Sequence, residues 1–378
     1  ITKIDDVYLY ISSDDTGDDW GGSGNQINTS VDFVDEVNKD LHLASTDTAA
    51  RDAGTDLSSN ANLVFVDDID GTARGGAWDI GADEVPVEFV SIICEGTGTG
   101  GNCADLDYNT LNAWEDAVEV DLTIGTTRVF SGSISGTLAE NATVNLCNAS
   151  TDTGIDGVVV AHTDSGQILI DGITGSTNPV TTTSGYLWKA DVCGGEGGDQ
   201  WTVSGTGDAL GASAQAIAEI DGVWSGADTV DLDVDGWSTD NDNYIRIYTT
   251  TAARHNGKWD ATKYHMETTE NRSIEMMESF VRIDGLQISL TGNVTWRRAI
   301  SAEFGAVSLE DVWISNNIIR DIGSATNRQG ILFYNDGDDS HRNIKIFNNI
   351  IYGFVLSGGV GIQYYSTNDD SAYIYNNT

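Results

Sequence analysis

A phrase built around two adjacent asparagines recurs near the C-terminal end of this chain. It reads WISNNII at 313–319, IFNNII at 346–351 and IYNNT at 374–378. The first isoleucines of the three copies are 32 and then 28 residues apart, and a weaker copy, VRIDGL at 281–286, lies 31 residues before the first. Self-similarity at this spacing is typical of solenoids, in which each repeat stacks on its neighbours.

The phrase has the pattern of strands rather than of helices. Apolar residues alternate with polar ones, run into the Asn-Asn corner and begin again as a new apolar pair. Alternation with a period of two indicates a strand, and asparagine tolerates the left-handed backbone that a tight corner needs. A stack of such turns predicts an all-β fold, a parallel β-helix.

The composition agrees with many short strands joined by turns. The chain has 378 residues, 43 of them glycine and only 2 proline, and 39% are hydrophobic. One segment, 108–120, has the periodicity of a helix, with Tyr108, Leu111, Trp114 and Val118 on one face. A helix of this kind at the start of a solenoid would cap the open apolar end of the stack.

The charge is strongly negative, with 59 acidic residues against 18 basic ones and a net charge of −41. Nucleic-acid binding is excluded as a function, because the field of the protein repels phosphates. Three explanations for the excess of acidic residues remain open: solubility of a strand-rich protein, binding of divalent cations, and adaptation to a high-salt environment. No apolar run approaches the roughly 20 residues that span a membrane.

Four cysteines, at 94, 103, 147 and 193, match no zinc spacing. An even count in an acidic, Gly- and Thr-rich chain favours disulfides and an extracellular or cell-surface location. Cys94 and Cys103 flank a Gly-rich loop and are the favoured pair, which leaves Cys147 with Cys193. Four reduced, buried thiols are the alternative.

The chain divides into four expected regions. Residues 1–84 form a loop-rich tail or cap-like segment, and residues 85–130 start the solenoid with the capping helix. Residues 131–187, rich in Thr, Gly and Ser, are expected to form an inserted small β module, and residues 188–378 the parallel β-helix turns.

The segment 68–84 carries the pattern D-x-D-G-x-x-R followed by D-I-G-A-x-E. This ending, together with the Asn-Asn phrases and the stretch YNTLNAWE at 108–115, resembles bacterial right-handed parallel β-helix repeat surface proteins, including choice-of-anchor Q proteins. The resemblance implies a right-handed β-helix. In that group the ending motif follows the solenoid, whereas in this chain it precedes it.

The position of the ending motif before the solenoid suggests that copies of the chain assemble with one another. The stretch VYLY at 7–10 resembles AYIY at 372–375, as if residue 1 resumed where residue 378 stops, and the chain is expected to be either a processed protein or a fragment of a longer one. An uncapped stack exposes strand edges that pair readily with another chain. We therefore expect an extracellular structural protein, a homopolymer that joins head-to-tail into a filament. A segment of a giant repeat adhesin and a polysaccharide-cleaving or carbohydrate-binding β-helix protein are the alternatives.

Two groups of acids are candidate metal ligands, and calcium is the cation that they would bind. Asp231, Asp233 and Asp235 begin a calcium-loop pattern that Gly236 and Asp242 extend. The same acids alternate with apolar residues, however, and the pattern equally predicts a strand. Asp67, Asp68 and Asp70 form the second group, for which the resemblance implies a structural corner.

No catalytic motif is present in the sequence: there is no nucleophile–His–acid pattern and no Gly-rich phosphate loop. Arg320, Asp321 and His255 are the residues that a polysaccharide-cleaving site could use, but a surface ion pair and an ordinary loop histidine explain them as well. The 10 Trp and 13 Tyr residues could stack on carbohydrate, although packing is the favoured role. The prediction is a protein that is not an enzyme.

Overall fold

The computed structural model divides the chain into two compact units, Ile1–Val85 and Pro86–Thr378. In the first unit the structure describes residues 30–35, 40–44, 47, 49–51, 53–54, 68–69, 74 and 78–85. In the second it describes residues 87–378 apart from 98–99, 125, 136–137, 149–150, 165, 175–184, 190–199, 210–213, 303–307, 335–339 and 366–370. The protein is mostly β, with parallel sheets, which confirms the all-β prediction.

In the first unit, strands β1 (Phe33–Asp35) and β2 (Asp40–Leu43) form an antiparallel pair. The ending motif forms a buried polar cluster around Arg74. This arginine donates to the Glu84 carboxylate at 3.2 Å and to the carbonyl of Gly81 at 2.8 Å. Asp79 accepts a hydrogen bond from the Val85 amide at 2.8 Å. The Arg, Asp and Glu of the motif therefore stabilise the fold of this segment.

The second unit begins with strand β3 (Val87–Ile93), a 3₁₀ turn (Cys103–Asp105) and helix α1 (Leu111–Val118). The helix is shorter than the expected 108–120, because the Thr110 hydroxyl caps it by accepting from the Ala113 amide at 3.1 Å. Tyr108 does not lie on the helix but bridges Ile93 in the parallel direction. Leu111, Trp114 and Val118 are fully buried, as the apolar face of α1 required.

A closed barrel of six antiparallel strands follows α1. The strands are β4 (Arg128–Ser135), β5 (Thr143–Asn148), β6 (Thr151–His162), β7 (Gln167–Thr174), β8 (Gly185–Lys189) and β9 (Gln200–Ala209). It has its own core, which includes Phe130, Ile168 and Trp201. The barrel runs beyond the module expected at 131–187, because β8 and β9 are needed to close its wall.

The remaining strands lie in parallel sheets. They are β10 (Ala214–Ile220), β11 (Leu232–Val234), β12 (Tyr244–Thr249), β13 (Arg272–Met276), β14 (Val281–Asp284), β15 (Gln287–Leu290), β16 (Arg298–Ala302), β17 (Leu309–Glu310), β18 (Trp313–Ser315), β19 (Ile318–Asp321), β20 (Gln329–Tyr334), β21 (His341–Arg342), β22 (Ile344–Phe347), β23 (Ile350–Tyr352), β24 (Val360–Tyr365) and β25 (Ala372–Tyr375).

The largest sheet has seven strands in the order β25-β22-β18-β14-β12-β10-β3. The barrel is thus inserted between β3 and its sheet neighbour β10, with which β3 pairs in parallel. A second sheet has the order β11-β13-β16-β20-β24 and a third β15-β19-β23, while β17 pairs with β21. Ile283, Ile314 and Ile346 stand in register in the first sheet and are fully buried.

Corners between the sheets recur at fixed positions with positive φ. Three sets are related by the sheet registers: Phe280, Asp311 and Asn343; Gly285, Asn316, Asn348 and Asn376; and Trp296, Asn327 and Gly358. The first asparagine of each Asn-Asn phrase belongs to the second set, with φ between 54° and 58°. The left-handed corners that the repeated phrase predicted are therefore present.

One disulfide is present among the described residues. Cys94 and Cys103 are joined, with their Cα atoms 5.9 Å apart, which confirms the first expected pair. Cys147 is fully buried and disulfide-bonded. Its expected partner, Cys193, lies outside the described residues, so the second pairing stays a prediction.

Candidate functional site: an open sheet edge and an acidic cluster

The seven-stranded sheet has two edge strands, and one of them, β3, is covered. The side chain of Gln167, at the start of β7, lies against the β3 backbone. Its amide nitrogen donates to the Glu88 carbonyl at 2.8 Å, and its oxygen accepts from the Val90 amide at 2.9 Å. The side chain of this glutamine thus bonds one carbonyl and one amide of β3 that a neighbouring strand would otherwise bond.

The segment before α1 covers the rest of the same edge. The Asp107 carboxylate accepts from the Ile92 amide at 2.7 Å, and the Ile92 carbonyl accepts from the Tyr108 amide at 3.2 Å. Burial raises the pKa of Asp107 to about 6, although hydrogen bonds from the Ile92 and Asp164 amides favour the ionised carboxylate. The Glu88 carbonyl, the Val90 amide and both backbone groups of Ile92 are therefore engaged within this chain.

The other edge strand, β25, pairs on one side with β22, and no strand among the described residues pairs with its other side. Ile374 is 45% exposed, whereas Ile346, its register partner one strand away, is fully buried. Tyr373 and Tyr375 are exposed by 54% and 47%. The second edge of β25 is thus unpaired among the described residues, and its side chains are exposed on both faces of the sheet.

The second asparagines of the repeated phrase form a ladder that runs across the stack. The side-chain oxygen of Asn349 accepts from the Asn317 amide at 2.9 Å, and that of Asn377 accepts from the Asn349 amide at 3.0 Å. The side-chain nitrogens donate to backbone carbonyls, as Asn349 does to Ile314 at 2.9 Å. Each asparagine in this ladder therefore connects one repeat to the next.

The outer face of the same sheet carries a column of cations and aromatic rings. This cation–aromatic column consists of five residues in register on β12, β14, β18, β22 and β25: Arg246, Arg282, Trp313, Lys345 and Tyr373. The Arg282 guanidinium lies 4.3 Å from the Trp313 ring centre, and the Lys345 ammonium 4.0 Å from it. In the next column Phe347 and Tyr375 stack face to face at 5.1 Å. These ring faces contact protein neighbours, which agrees with a packing role.

A separate acidic cluster lies between α1 and the end of β11. Glu115, Glu119 and Asp235 each place a carboxylate oxygen within 4.8 Å of the others. Glu115 is only 2% exposed and accepts from the Asp235 amide and the Trp237 indole, both at 3.0 Å. Burial raises its pKa to about 7. Burial and the nearby Asp235 also raise the pKa of Glu119.

Of the predicted metal ligands that the structure describes, only Asp235 belongs to this cluster. Leu232 and Val234 are fully buried, and Asp233 between them is exposed, so the stretch is the strand that the alternation predicted. Burial, followed by Asp231 and Asp235, raises the pKa of Asp233. Asp67 and Asp70 lie outside the described residues, and Asp68 is half-buried in the first unit.

The donor set of the cluster suits a hard cation only in part. Carboxylate oxygens are the ligands that calcium prefers, but calcium takes about six to eight of them. One oxygen of Glu115 already accepts two protein hydrogen bonds. Three carboxylates are too few to fill the coordination shell without further oxygens, and calcium stays a prediction.

The residues considered for catalysis have structural partners. His255 Nε2 lies 2.8 Å from the Asn316 carbonyl oxygen, and burial lowers the pKa of the imidazole. The Arg320 guanidinium stacks on Trp259, and Asp321 pairs with the fully buried Arg328 at 2.5 Å. Arg320 and Asp321 therefore point to different partners and form no ion pair with each other.

Comparison with known proteins gives no match, whether by family model, by curated protein sequence or by solved structure. The resemblance to β-helix surface proteins stays a prediction. Among the residues that the structure describes, no helix is long and apolar enough to cross a membrane.

Proposed function

We propose that the parallel sheets are the faces of a right-handed parallel β-helix, and that the protein is a structural, non-enzymatic subunit. In this proposal copies join head-to-tail into an extracellular filament through the ends of the stack. Parallel registers across repeats of 28 to 32 residues and the recurring left-handed corners support the β-helix.

The difference between the two edges of the seven-stranded sheet carries the proposal. The β3 edge is engaged by Gln167 and Asp107, whereas the β25 edge exposes Ile374, an apolar side chain whose partner in the column is buried. An open, apolar strand edge is a template for pairing with another chain. Since the two ends are unlike, the contact joins different surfaces and does not close into a pair.

Two features support an extracellular setting. The Cys94–Cys103 disulfide persists in oxidising surroundings, and the net charge of −41 keeps a strand-rich surface soluble. A non-enzymatic role agrees with the structural partners of His255, Arg320 and Asp321.

Electron microscopy of the purified protein and of the variant Ile374→Lys tests the proposal. We expect filaments from the unchanged protein and their loss in Ile374→Lys, because the new ammonium would be buried without a partner at the joint. The matched control is Val223→Lys, at a side chain that is 51% exposed elsewhere in the same unit and should leave assembly unchanged.

Discrete particles of the unchanged protein at high concentration would contradict self-assembly. They would favour the alternative that the chain is part of a larger repeat surface protein. Turnover of a polysaccharide by the purified protein would contradict the non-enzymatic role.

A further inference from the structure

Trp296 is an exposed tryptophan at a left-handed corner. Its φ is 63° and its side chain is 53% exposed. The same corner of the next two repeats holds Asn327 and Gly358, residue types that suit this backbone. A bulky side chain in the left-handed region costs free energy, and such strained positions cluster at ligand-binding sites. Neither burial nor backbone geometry accounts for a tryptophan here.

Two neighbouring loops expose apolar side chains around this corner. Loop 291–297 connects β15 to β16, and loop 322–328 connects β19 to β20. Val294 of the first loop is 45% exposed, and Ile322 of the second is 58% exposed. Together with Trp296 they give the two loops an apolar component on their solvent side.

Loop 291–297 lies between two other repeats. On one side its Gly292 carbonyl accepts from the Ser324 amide of the following loop at 2.9 Å. On the other side the Arg298 amide, next to the loop, donates to the Asn271 carbonyl of the preceding repeat at 2.8 Å. The exposure of Trp296 therefore belongs to an interior repeat with a neighbour on each side.

Two buried arginines fix the backbone of the loop that carries Trp296. Arg297 donates to the Thr291 carbonyl at 2.8 Å, and Arg328 of the next repeat donates to the Val294 carbonyl at 3.1 Å. The two arginines are 2% and 0% exposed. The loop is thus held in place from both sides, which lowers the ordering cost of binding a ligand on its surface.

The solvent side of these two loops is uncharged. Loops 291–297 and 322–328 contain no Asp or Glu, and their only charged residues are the buried Arg297 and Arg328. Their exposed polar side chains are amides and hydroxyls, among them Asn293, Thr295 and Ser324. In a chain with a net charge of −41, such a surface favours an uncharged ligand, since the field of the protein repels anionic polymers.

We propose that loops 291–297 and 322–328 bind a neutral polysaccharide, with one sugar stacked on Trp296. The C–H face of a sugar ring packs on an indole ring, and sugar hydroxyls exchange hydrogen bonds with amide and hydroxyl side chains. An extended chain reaches from one loop to the next along the stack. This site goes beyond the proposed function and uses neither β3 nor β25.

Calorimetric titration of the purified protein with two soluble neutral oligosaccharides, cellohexaose and chitohexaose, tests the proposal. We expect binding of at least one of them and no binding of the anionic hexamer of galacturonate. The variant Trp296→Asn should bind about tenfold more weakly or less, because it removes the stacking ring. It should unfold at no lower temperature than the unchanged protein, because asparagine suits this corner as it does at Asn327.

Two further variants sharpen the comparison. Trp296→Tyr keeps an aromatic ring and should bind more tightly than Trp296→Asn. Val223→Asn is the matched control, since it introduces the same residue at a side chain that is 51% exposed elsewhere in the unit and should leave the affinity unchanged.

Absence of binding to both neutral oligosaccharides, or equal binding by Trp296→Asn, would overturn the proposal. A clearly lower unfolding temperature of Trp296→Asn would also overturn it, because the ring would then serve packing. Loss of self-association in Trp296→Asn would assign the ring to a contact between copies instead. The variant Ile374→Lys should bind like the unchanged protein, so the failure of the filament joint and the failure of this site are separate results.

Discussion

Asn349 shows what the second asparagine of the repeated phrase does. It is 1% exposed, and its side chain bonds the repeats on both sides: the oxygen accepts from Asn317, and the nitrogen donates to Ile314 and to Asn377. The neighbouring Asn348 has a different task, because its φ of 58° places it in the left-handed corner. The two adjacent asparagines are therefore not interchangeable.

Replacing Asn349 by alanine should destabilise the protein by about 2–4 kcal/mol, because buried backbone groups of Asn317 and Ile314 would lose their partners. Thermal unfolding followed by calorimetry measures this. The matched control is Asn348→Gly, which suits the left-handed backbone and should change stability by less than about 1 kcal/mol. Equal effects of the two changes would contradict the separate roles.

At the scale of elements, the contact between α1 and β11 depends on one buried acid. Glu115 of the helix accepts hydrogen bonds from Asp235 and Trp237 just after the strand, and Trp114 packs on Trp237 with ring centres 5.8 Å apart. Burial favours the neutral carboxyl and raises its pKa from 4.5 to about 7. Ionisation of Glu115 therefore opposes the folded state.

The variant Glu115→Gln should be more stable than the unchanged protein at pH 8 by about 3 kcal/mol, and equally stable near pH 4. A carboxyl whose pKa is raised on folding binds a proton more tightly in the folded state. Its contribution is therefore present below about pH 4.5 and is lost as the pH rises to about 7. Denaturant unfolding of both proteins across this range measures the difference, and a difference that does not vary with pH would contradict it.

Denaturant unfolding at pH 8 also tests whether the acidic cluster binds the predicted calcium ion. Calcium held by Glu115, Glu119 and Asp235 would favour their ionised forms, so added calcium should raise the stability of the unchanged protein at pH 8 and a chelator should reverse this. No response to calcium would leave the cluster as a contact between helix and strand only.

At the scale of the whole molecule, the charge is unevenly distributed. Residues 246–345 contain 12 of the 18 basic residues and 13 of the 59 acidic ones, a net charge of −1, so the rest of the chain carries −40. Arg282 and Lys345 of the cation–aromatic column lie in this near-neutral stretch, and both pair with Asp311. Electrostatic repulsion between approaching copies therefore comes mainly from the acidic residues outside 246–345.

Self-association should consequently strengthen as salt is added. Screening shortens the range of repulsion from about 30 Å at 0.01 M to about 8 Å at 0.15 M ionic strength, whereas an apolar strand joint is little affected. Light scattering of the unchanged protein at both salt concentrations measures this. Filaments that dissociate in salt would show that ion pairs, rather than the edge of β25, hold the joint.

Local patterns were predictable where they depend on a few neighbouring residues. The Asn-Asn corners, the alternating strand at Leu232–Val234 and the pairing of Cys94 with Cys103 follow from backbone geometry and short spacings. The extent of the barrel was not predictable in the same way, because β8 and β9 join it through pairings with distant strands. The expected helix, 108–120, was too long at both ends: Thr110 caps its start, and the last helical residue is Val118.

Strands with repeating corners follow from local sequence, since periodicity and left-handed positions are properties of the local backbone. The contact of Gln167 with β3, 77 residues away, and that of Glu115 with Asp235, across 120 residues, arise only on folding. Contacts of that separation depend on which elements lie side by side after folding, and no local pattern encodes them. The same holds for the sheet edges, whose covered and open sides appear only once the strands are in order.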